Sequence, residues 1–283
     1  TNFSQDHLDY HKTMKSYLNA KLILFKEILK KKSTIISDNE IPIFKVLKKI
    51  ASRRNIKILD INGEIKKIND ISSKFDNYKI KNLAMAFKAA RLCGLKDKSI
   101  IKAIKKIKNI SGRQELVKKY PNNIRVFVDY AHTPDALLKT LQSLKNYGKN
   151  ISLVFGCGGD RDKKKRPLMA KIADEHCKKI YITDDNPRNE NPKKIRNQLL
   201  KNIHKTKVYN LENRALAIKK AIQNSSPHEI ILIAGKGHEE QQIYKNKINY
   251  FSDKNIVQNL KIKKKTLNKT KKNYIQNKLI FKK

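Results

Sequence analysis

Long apolar runs are missing from this chain of 283 residues. No window approaches about 18 uncharged apolar residues, which excludes a transmembrane helix. Cysteine is scarce as well: Cys93, Cys157 and Cys177 form an odd set without metal-ligand spacing. That argues against a disulfide scaffold and fits a reducing compartment. The first residues show no basic stretch followed by an apolar core, so no signal peptide is visible. The expected location is cytoplasmic, without membrane insertion. Acidic side chains are few, 25 Asp plus Glu against 65 Lys plus Arg, for a formal net charge of +40. Hydrophobic residues make up 39%, low for a globular enzyme but too high for a disordered chain, and the length suits one large or two medium domains.

Arginine is the scarcer base. It supplies only 10 of the 65 basic residues, leaving 55 lysines spread along the chain among abundant Asn and Ile. Groove readers and phosphate clamps lean on the bidentate fork of Arg. Diffuse Lys is what a strongly AT-rich coding sequence would produce, so nucleic acid is not the expected partner. A polyanion-binding module acting through the Lys-rich surface stays open as an alternative. Residues 261–283, with ten Lys and no acid, read as a separate basic tail, disordered or irregular.

Periodicity predicts a helix over Asp9–Leu29, from Leu18, Ile23, Leu24 and Ile28, then a short strand at Thr34–Ile36. Residues 43–72 are Lys-rich and give no readable pattern. Helices are expected over Asn82–Leu92, stopped by Gly94, and over Ser99–Ile107. From Ile124 strands and helices alternate. Strands are expected at Ile124–Val128, Ile151–Phe155, Lys179–Thr183, near Val208 and at Glu229–Ile233. Helices are expected from Thr133-Pro134-Asp135 to Gly148, and at Pro167–Lys178, Pro192–Ile203 and Arg214–Ile222. Repeated βα units predict a parallel twisted sheet with helices on both faces.

Four of these strands run into clusters of glycine and polar residues: Asp129-Tyr130-Ala131-His132, Gly156 to Asp162, Asp184 to Arg188, and Gly235 to Glu239. Ligands of open α/β sheets bind beyond the carboxyl ends of the strands, so these loops predict a binding edge. The loop holding Gly158 and Gly159 could cradle a phosphate or carboxylate on backbone N–H groups, or could simply be a tight turn. Arg161 and Arg188 could each clamp a carboxylate, or pair with Asp160 and Asp185 on the surface. Asp185 and Glu239 could receive a substrate ammonium, or act as caps and solvated charges. His132 and His238 adjoin the same edge, where a lone histidine is commonly structural. The turn Ser111–Glu115 reads as a hinge between two halves. The residues alone describe a site for a ligand carrying both amine and carboxylate groups, possibly next to a nucleotide phosphate.

In combination these motifs resemble the Mur ligases, over nearly all of residues 1–260. The resemblance rests on Asp6-His7-Leu8-Asp9-Tyr10-His11 with Lys21, Gly112-Arg113, Asp129 to Pro134, Gly158 to Asp162, Asp185-Asn186-Pro187-Arg188, and Gly235 to Glu239. It is greatest for the branch that adds meso-2,6-diaminopimelate to UDP-N-acetylmuramoyl-L-alanyl-D-glutamate in peptidoglycan synthesis. It implies an α/β fold, with an incomplete P-loop-type central domain over 1–110 and a Rossmann-like, doubly wound C-terminal domain over 111–260. It implies ATP and Mg2+, and an acyl phosphate formed on the glutamate carboxylate that the incoming amine attacks. By the same resemblance Arg161, Asp185, Asn186, Pro187, Arg188, Gly235 and Glu239 would surround diaminopimelate. Arg113, Asp129, His132, Gly158 and Gly159 would lie towards the nucleotide, and His7 and a carbamylated Lys21 would bind the metal.

The sequence departs from the family pattern in three places. No G-x-x-x-x-G-K-[ST] phosphate loop occurs in these residues, and the N-terminal domain that holds the UDP-sugar in the family is expected to be missing too. The stretch between Asp38 and Phe75 is short. The basic tail has no family counterpart. The expectation is therefore a fragment or one piece of a split ligase, the missing segment coming from the rest of the same protein. The alternative is an inactive amino-acid-binding remnant.

Overall fold

The computed structural model describes residues 2–71, 77–108 and 110–261. The chain divides into two compact units, residues 1–108 and 109–283. Beyond Lys261 the basic tail lies outside the described residues.

The first unit opens with α1 (Leu8–His11) and α2 (Met14–Ile23) in place of one helix over Asp9–Leu29. The break has a local cause. Lys12 sits at a φ of 63°, and the Thr13 hydroxyl accepts the Ser16 N–H, which caps a new helix start. A π-helical turn, Leu24–Ile28, follows α2. The residues that gave the helical spacing face outward: Ile23, Leu24 and Ile28 are exposed, whereas Tyr17 and Leu22 are buried.

The stretch without readable pattern is folded. After β1 (Thr34–Ile36) come α3 (Phe44–Arg53), β2 (Lys57–Leu59) and α4 (Asn62–Ile71), with β1 and β2 paired in parallel. In α4, Ile65, Ile68 and Ile71 recur at three-residue steps and pack with residues of α5 (Asn77–Leu92) and α6 (Asp97–Lys105). Lysines between these isoleucines blur the contrast on which periodicity depends. α5 also begins five residues before its expected start, its first turn anchored through the buried Ile80.

The second unit carries a six-stranded sheet. Its strands are β3 (Glu115–Tyr120), β4 (Ile124–Asp129), β5 (Ile151–Phe155), β6 (Lys179–Ile182), β7 (Lys207–Asn210) and β8 (Ile230–Ala234). The order across the sheet is β3-β4-β8-β5-β6-β7. All pairs are parallel except β3–β4, so the sheet is mixed at one edge where a wholly parallel one was expected. β3 was hidden because Lys118 and Lys119 interrupt its apolar residues.

The helices between strands are α7 (Pro134–Leu144), α8 (Lys165–His176), α9 (Pro192–Leu200) and α10 (Arg214–Gln223). α7 starts as its sequence predicts, with Thr133 capping Ala136 N–H and Pro134 in the first turn. Leu137, Leu141 and Leu144 of α7, Met169 and Ala173 of α8, and Ile195 and Leu199 of α9 pack on one face of the sheet. Ala217, Ile218, Ala221 and Ile222 of α10 cover the other face. The chain then adds a hairpin, β9 (Gln241–Tyr244) and β10 (Lys247–Tyr250), and α11 (Asp253–Asn259), none of which the sequence pattern announced.

One topological fact positions the site. β8 returns from the edge to lie between β4 and β5. The loops after β4, β8, β5 and β6 therefore stand side by side along the carboxyl edge of the sheet, where the direction of winding reverses.

Candidate functional site

The loops after β5 and β6 are locked backbone to backbone. Gly159 N–H donates to Asn186 O at 2.9 Å, and a Cβ at Gly159 would overlap the Pro187 carbonyl. Glycine is required there by close approach. Arg188 Nη1 donates to Gly159 O at 2.9 Å and Asn186 O at 3.4 Å, so Arg188 meets carbonyl oxygens where a surface pairing with Asp185 was the alternative. Its backbone has a φ of 50° and is held by β9: Arg188 N–H donates to Ile243 O, and Lys245 N–H to Arg188 O. Arg161 is exposed in the same loop as Gly158 and donates to Asp160 O at 3.1 Å.

Behind this loop, fully buried Arg166 grips Glu190 through both Nη atoms at 3.0 and 2.9 Å, and also reaches Gly158 O and Gln198 Oε1. Glu190 in turn accepts Asp160 N–H at 2.8 Å. Burial acts to raise the Glu190 carboxyl, but the hydrogen bonds from Arg166 and Asp160 N–H prevail and lower it to about 2. Cys157, sealed beneath the loop, has its thiol pushed up to about 11 by burial, which keeps it protonated.

The next cluster joins the β6 loop to the β8 loop. Asn186 Nδ2 donates to Glu239 Oε2 at 3.1 Å, while Asn186 Oδ1 accepts from Lys236 Nζ at 2.9 Å and Ile243 N at 3.1 Å. Lys236 is fully buried, and its Nζ also lies 3.4 Å from Glu239 Oε2. Asp185 packs against Gly235, whose φ is +116°; a Cβ at Gly235 would stand 2.6 Å from Asp185 Oδ2. Next door, Asp184 is bound by Arg196 and accepts the Tyr244 hydroxyl at 3.0 Å. Burial nevertheless raises the Asp184 carboxyl above its ordinary range.

A third cluster surrounds Tyr130. The Arg113 guanidinium lies 4.4 Å from the ring centroid, His238 stacks at 5.5 Å, and His132 meets the ring edge at 4.6 Å. Burial first, then the charges of Glu239 and Asp185, raise the Tyr130 hydroxyl. Asp129 is an internal brace: its carboxylate accepts Gln114 N–H at 2.5 Å and Ala131 N–H at 2.7 Å. Burial raises its pKa against those hydrogen bonds. The turn expected to be a hinge is thereby fastened to β4, and Gln114 Nε2 also reaches Ser143.

In the first unit, the two residues expected near a metal lie against one side chain. Lys21 Nζ is 4.8 Å from the Tyr17 ring centroid, and the His7 ring is 5.8 Å from it. Magnesium prefers oxygen ligands. His7 offers one nitrogen, 3.4 Å from Asp6, and an ammonium at Lys21 repels a cation. Among the described residues, no three His, Cys, Asp or Glu side chains gather to hold a metal. The residues as they stand do not make a magnesium site.

The structure thus brings Asp185, Asn186, Gly235 and Glu239 together, with Gly158, Gly159, Pro187 and Arg188 adjoining through Asn186. Arg113 and His132 meet at Tyr130. Sequence reasoning missed Arg166, Arg196, Arg214, Lys236 and Tyr244. One signal could have drawn attention to the arginines: they are scarce in this chain, and Arg166, Arg196 and Arg214 each make several contacts that a lysine could not make together.

Residues 1–104 match the Mur ligase middle domain, and residues 112–237 match the Mur ligase glutamate ligase domain. The chain is 39% identical over 282 residues to the UDP-N-acetylmuramoyl-L-alanyl-D-glutamate--2,6-diaminopimelate ligase of Rickettsia montanensis, covering 91% of this chain and 58% of the relative. It is 36% identical to the protein of the same name from Lactiplantibacillus plantarum, over 89% of this chain and 57% of the relative. A solved structure of a ligase of that name superposes with a TM-score of 0.50 at 28% identity, covering 91% of this chain and 58% of that one. The Mycobacterium tuberculosis folylpolyglutamate synthase complexed with ADP and AMPPCP shares the fold, with a TM-score of 0.65 at 16% identity, over 82% of this chain and 59% of that one. The chain thus spans less than three-fifths of the length of these relatives.

Proposed function

The chain belongs to the Mur ligase family, and from that membership we propose that it forms the amino-acid-binding part of an ATP-dependent ligase joining meso-2,6-diaminopimelate to UDP-N-acetylmuramoyl-L-alanyl-D-glutamate. In this reading the glutamate carboxylate attacks the γ-phosphorus of ATP, giving an acyl phosphate and ADP. The unprotonated amine of diaminopimelate adds to the acyl carbon. The tetrahedral intermediate collapses with release of phosphate, and the nitrogen loses its proton.

The observation that carries the reading is the joining of the β6 and β8 loops through Asn186, which puts acids and a guanidinium on one loop edge. Asp185, Glu239 and the backbone of Gly235 would hold the distal ammonium. Arg188, aided by Arg161, would fork onto the distal carboxylate. Lysine lacks that carboxylate and would leave Arg188 without its partner, which discriminates against it. Arg113, Asp129, His132, Gly158 and Gly159 belong to the nucleotide side, Asp129 by bracing the loop rather than by contact. A carbamate on Lys21 would replace an ammonium by two oxygens and so make that position suitable for Mg2+.

Calorimetry tests this directly. Titration of the chain with meso-diaminopimelate is expected to give saturable binding that L-lysine does not match and that Arg188→Ala weakens at least about tenfold. Equal binding of lysine, or full binding by Arg188→Ala, would overturn the assignment.

A further inference from the structure

Arg214, the first residue of α10, lies 1% exposed beneath the β8 loop. Its Nε and Nη2 donate to the two carboxylate oxygens of Asp253 at 2.8 Å each, and Nη2 also donates to Ala234 O at 3.0 Å. Those three bonds fix the plane of the guanidinium. The remaining nitrogen, Nη1, is buried without a hydrogen-bond partner and stands 3.8 Å from Asp185 Oδ2. The same oxygen lies beside Gly235, 2.6 Å from where a Cβ at that residue would stand.

The charges in this cluster do not balance. Asp253, Asp185 and Glu239 contribute three carboxylates, against the two cations Arg214 and Lys236. Asp253 takes the directed N–H bonds of Nε and Nη2, so Asp185 faces the guanidinium across 3.8 Å without a hydrogen bond. The deficit is one positive charge, that of a single ammonium.

Resting on the reading of this edge as the amino-acid site, we propose that Arg214 is a positioning residue for Asp185, held by Asp253, that aims this carboxylate while leaving it free to pair with the substrate's distal ammonium. α11 thereby becomes part of the binding machinery, since its first residue fixes the guanidinium. Arg214 touches no substrate in this scheme. It acts through Asp185.

Two variants of the full chain test the proposal, with the Asp185 carboxyl carbon followed by 13C NMR in the absence of ligand and identified by its loss in Asp185→Asn. Arg214→Met with Asp253→Met removes both charges together, so neither is left buried alone. The Asp185 titration midpoint is expected to rise by about one pH unit, because an opposite charge within about 4–6 Å is lost. Asp253→Asn leaves the Arg214 charge undivided, and the midpoint is expected to fall. Affinity for meso-diaminopimelate should drop about tenfold in the double variant, in step with that one-unit change. An analogue lacking the distal amine should bind the double variant and the parent chain alike.

A midpoint that stays put in both variants, with native near-ultraviolet circular dichroism, would overturn the proposal and reduce Arg214 to a stitch between α10 and α11. Should the double variant fail to fold, the downward shift in Asp253→Asn decides alone. If the midpoints move as expected while the parent chain binds no meso-diaminopimelate, the positioning role stands and the substrate assignment falls.

Discussion

Asn186 donates to Glu239 at 3.1 Å while accepting from the buried ammonium of Lys236 at 2.9 Å, so one amide spans an acid and a base that belong to another loop. Neither donor nor acceptor can be dropped without leaving a charged group short of a partner. Asn186→Asp replaces the donor to Glu239 by a second carboxylate, and Asn186→Leu removes both ends. Asn186→Leu should cost about 2–4 kcal/mol in urea denaturation, since Lys236 is fully buried and loses its best acceptor. Asn186→Asp should cost less in stability, because its carboxylate pairs with Lys236, yet should displace Glu239 and alter ligand binding in calorimetry.

Two glycines should respond oppositely to alanine. At Gly159 the new methyl group would run into the Pro187 carbonyl, and the β5 and β6 loops would have to separate. A loss of roughly 2–4 kcal/mol is expected from the urea midpoint. Gly63, in the first turn of α4, has nothing within 4 Å of its Cβ position. Gly63→Ala should leave stability unchanged or raise it by up to about 1 kcal/mol.

Acid should act on the Glu190 network in a defined window. The folded chain holds this carboxyl at about 2 against an ordinary value of 4.5. The unfolded chain therefore takes up the proton first as pH falls, and the stability this group contributes is lost between those two values. Asp184 and Asp129 have the opposite sign, their folded-state values being raised, so they favour folding more as they protonate. Melting temperatures measured against pH should show a shallower acid limb in Glu190→Gln than in the parent chain.

Arg166→Lys tests whether the fork or only the charge matters behind the glycine-rich loop. A lysine cannot reach Glu190, Gln198 and Gly158 O together, as the two Nη atoms of Arg166 do. The variant should lose roughly 2–3 kcal/mol, and amide exchange should quicken at Asp160, whose N–H is held by Glu190. Unchanged exchange at Asp160 would show that charge alone suffices.

The doubly wound sheet was legible because β4, β5, β6 and β8 are mostly apolar, broken only by Arg125, Ser152 and Lys179, and run into glycine or acid just beyond or at their ends. What escaped notice has physical causes. β3 and α4 carry lysines between their apolar residues, and the hairpin of β9 and β10 is only four residues per strand. The motif residues Asp185, Asn186 and Glu239 could be named from sequence, but their supports could not. Arg214 and Asp253 are separated by 38 intervening positions and meet only because β8 returns to the middle of the sheet. At the end of α2 and in the π-helical turn after it the pattern misled, since Ile23, Leu24 and Ile28 have the spacing of a buried face and are exposed.

The burial of Lys236 has a practical side. Among the described residues most lysines are exposed, where an amine-selective acylating reagent would modify them within moments. Lys236 is sealed at 0% exposure, with its ammonium held by Asn186. Its acylation must wait for the β6 and β8 loops to part. The rate at which that one peptide gains mass, read by mass spectrometry against the rapid background of its neighbours, is a clock for breathing of this edge.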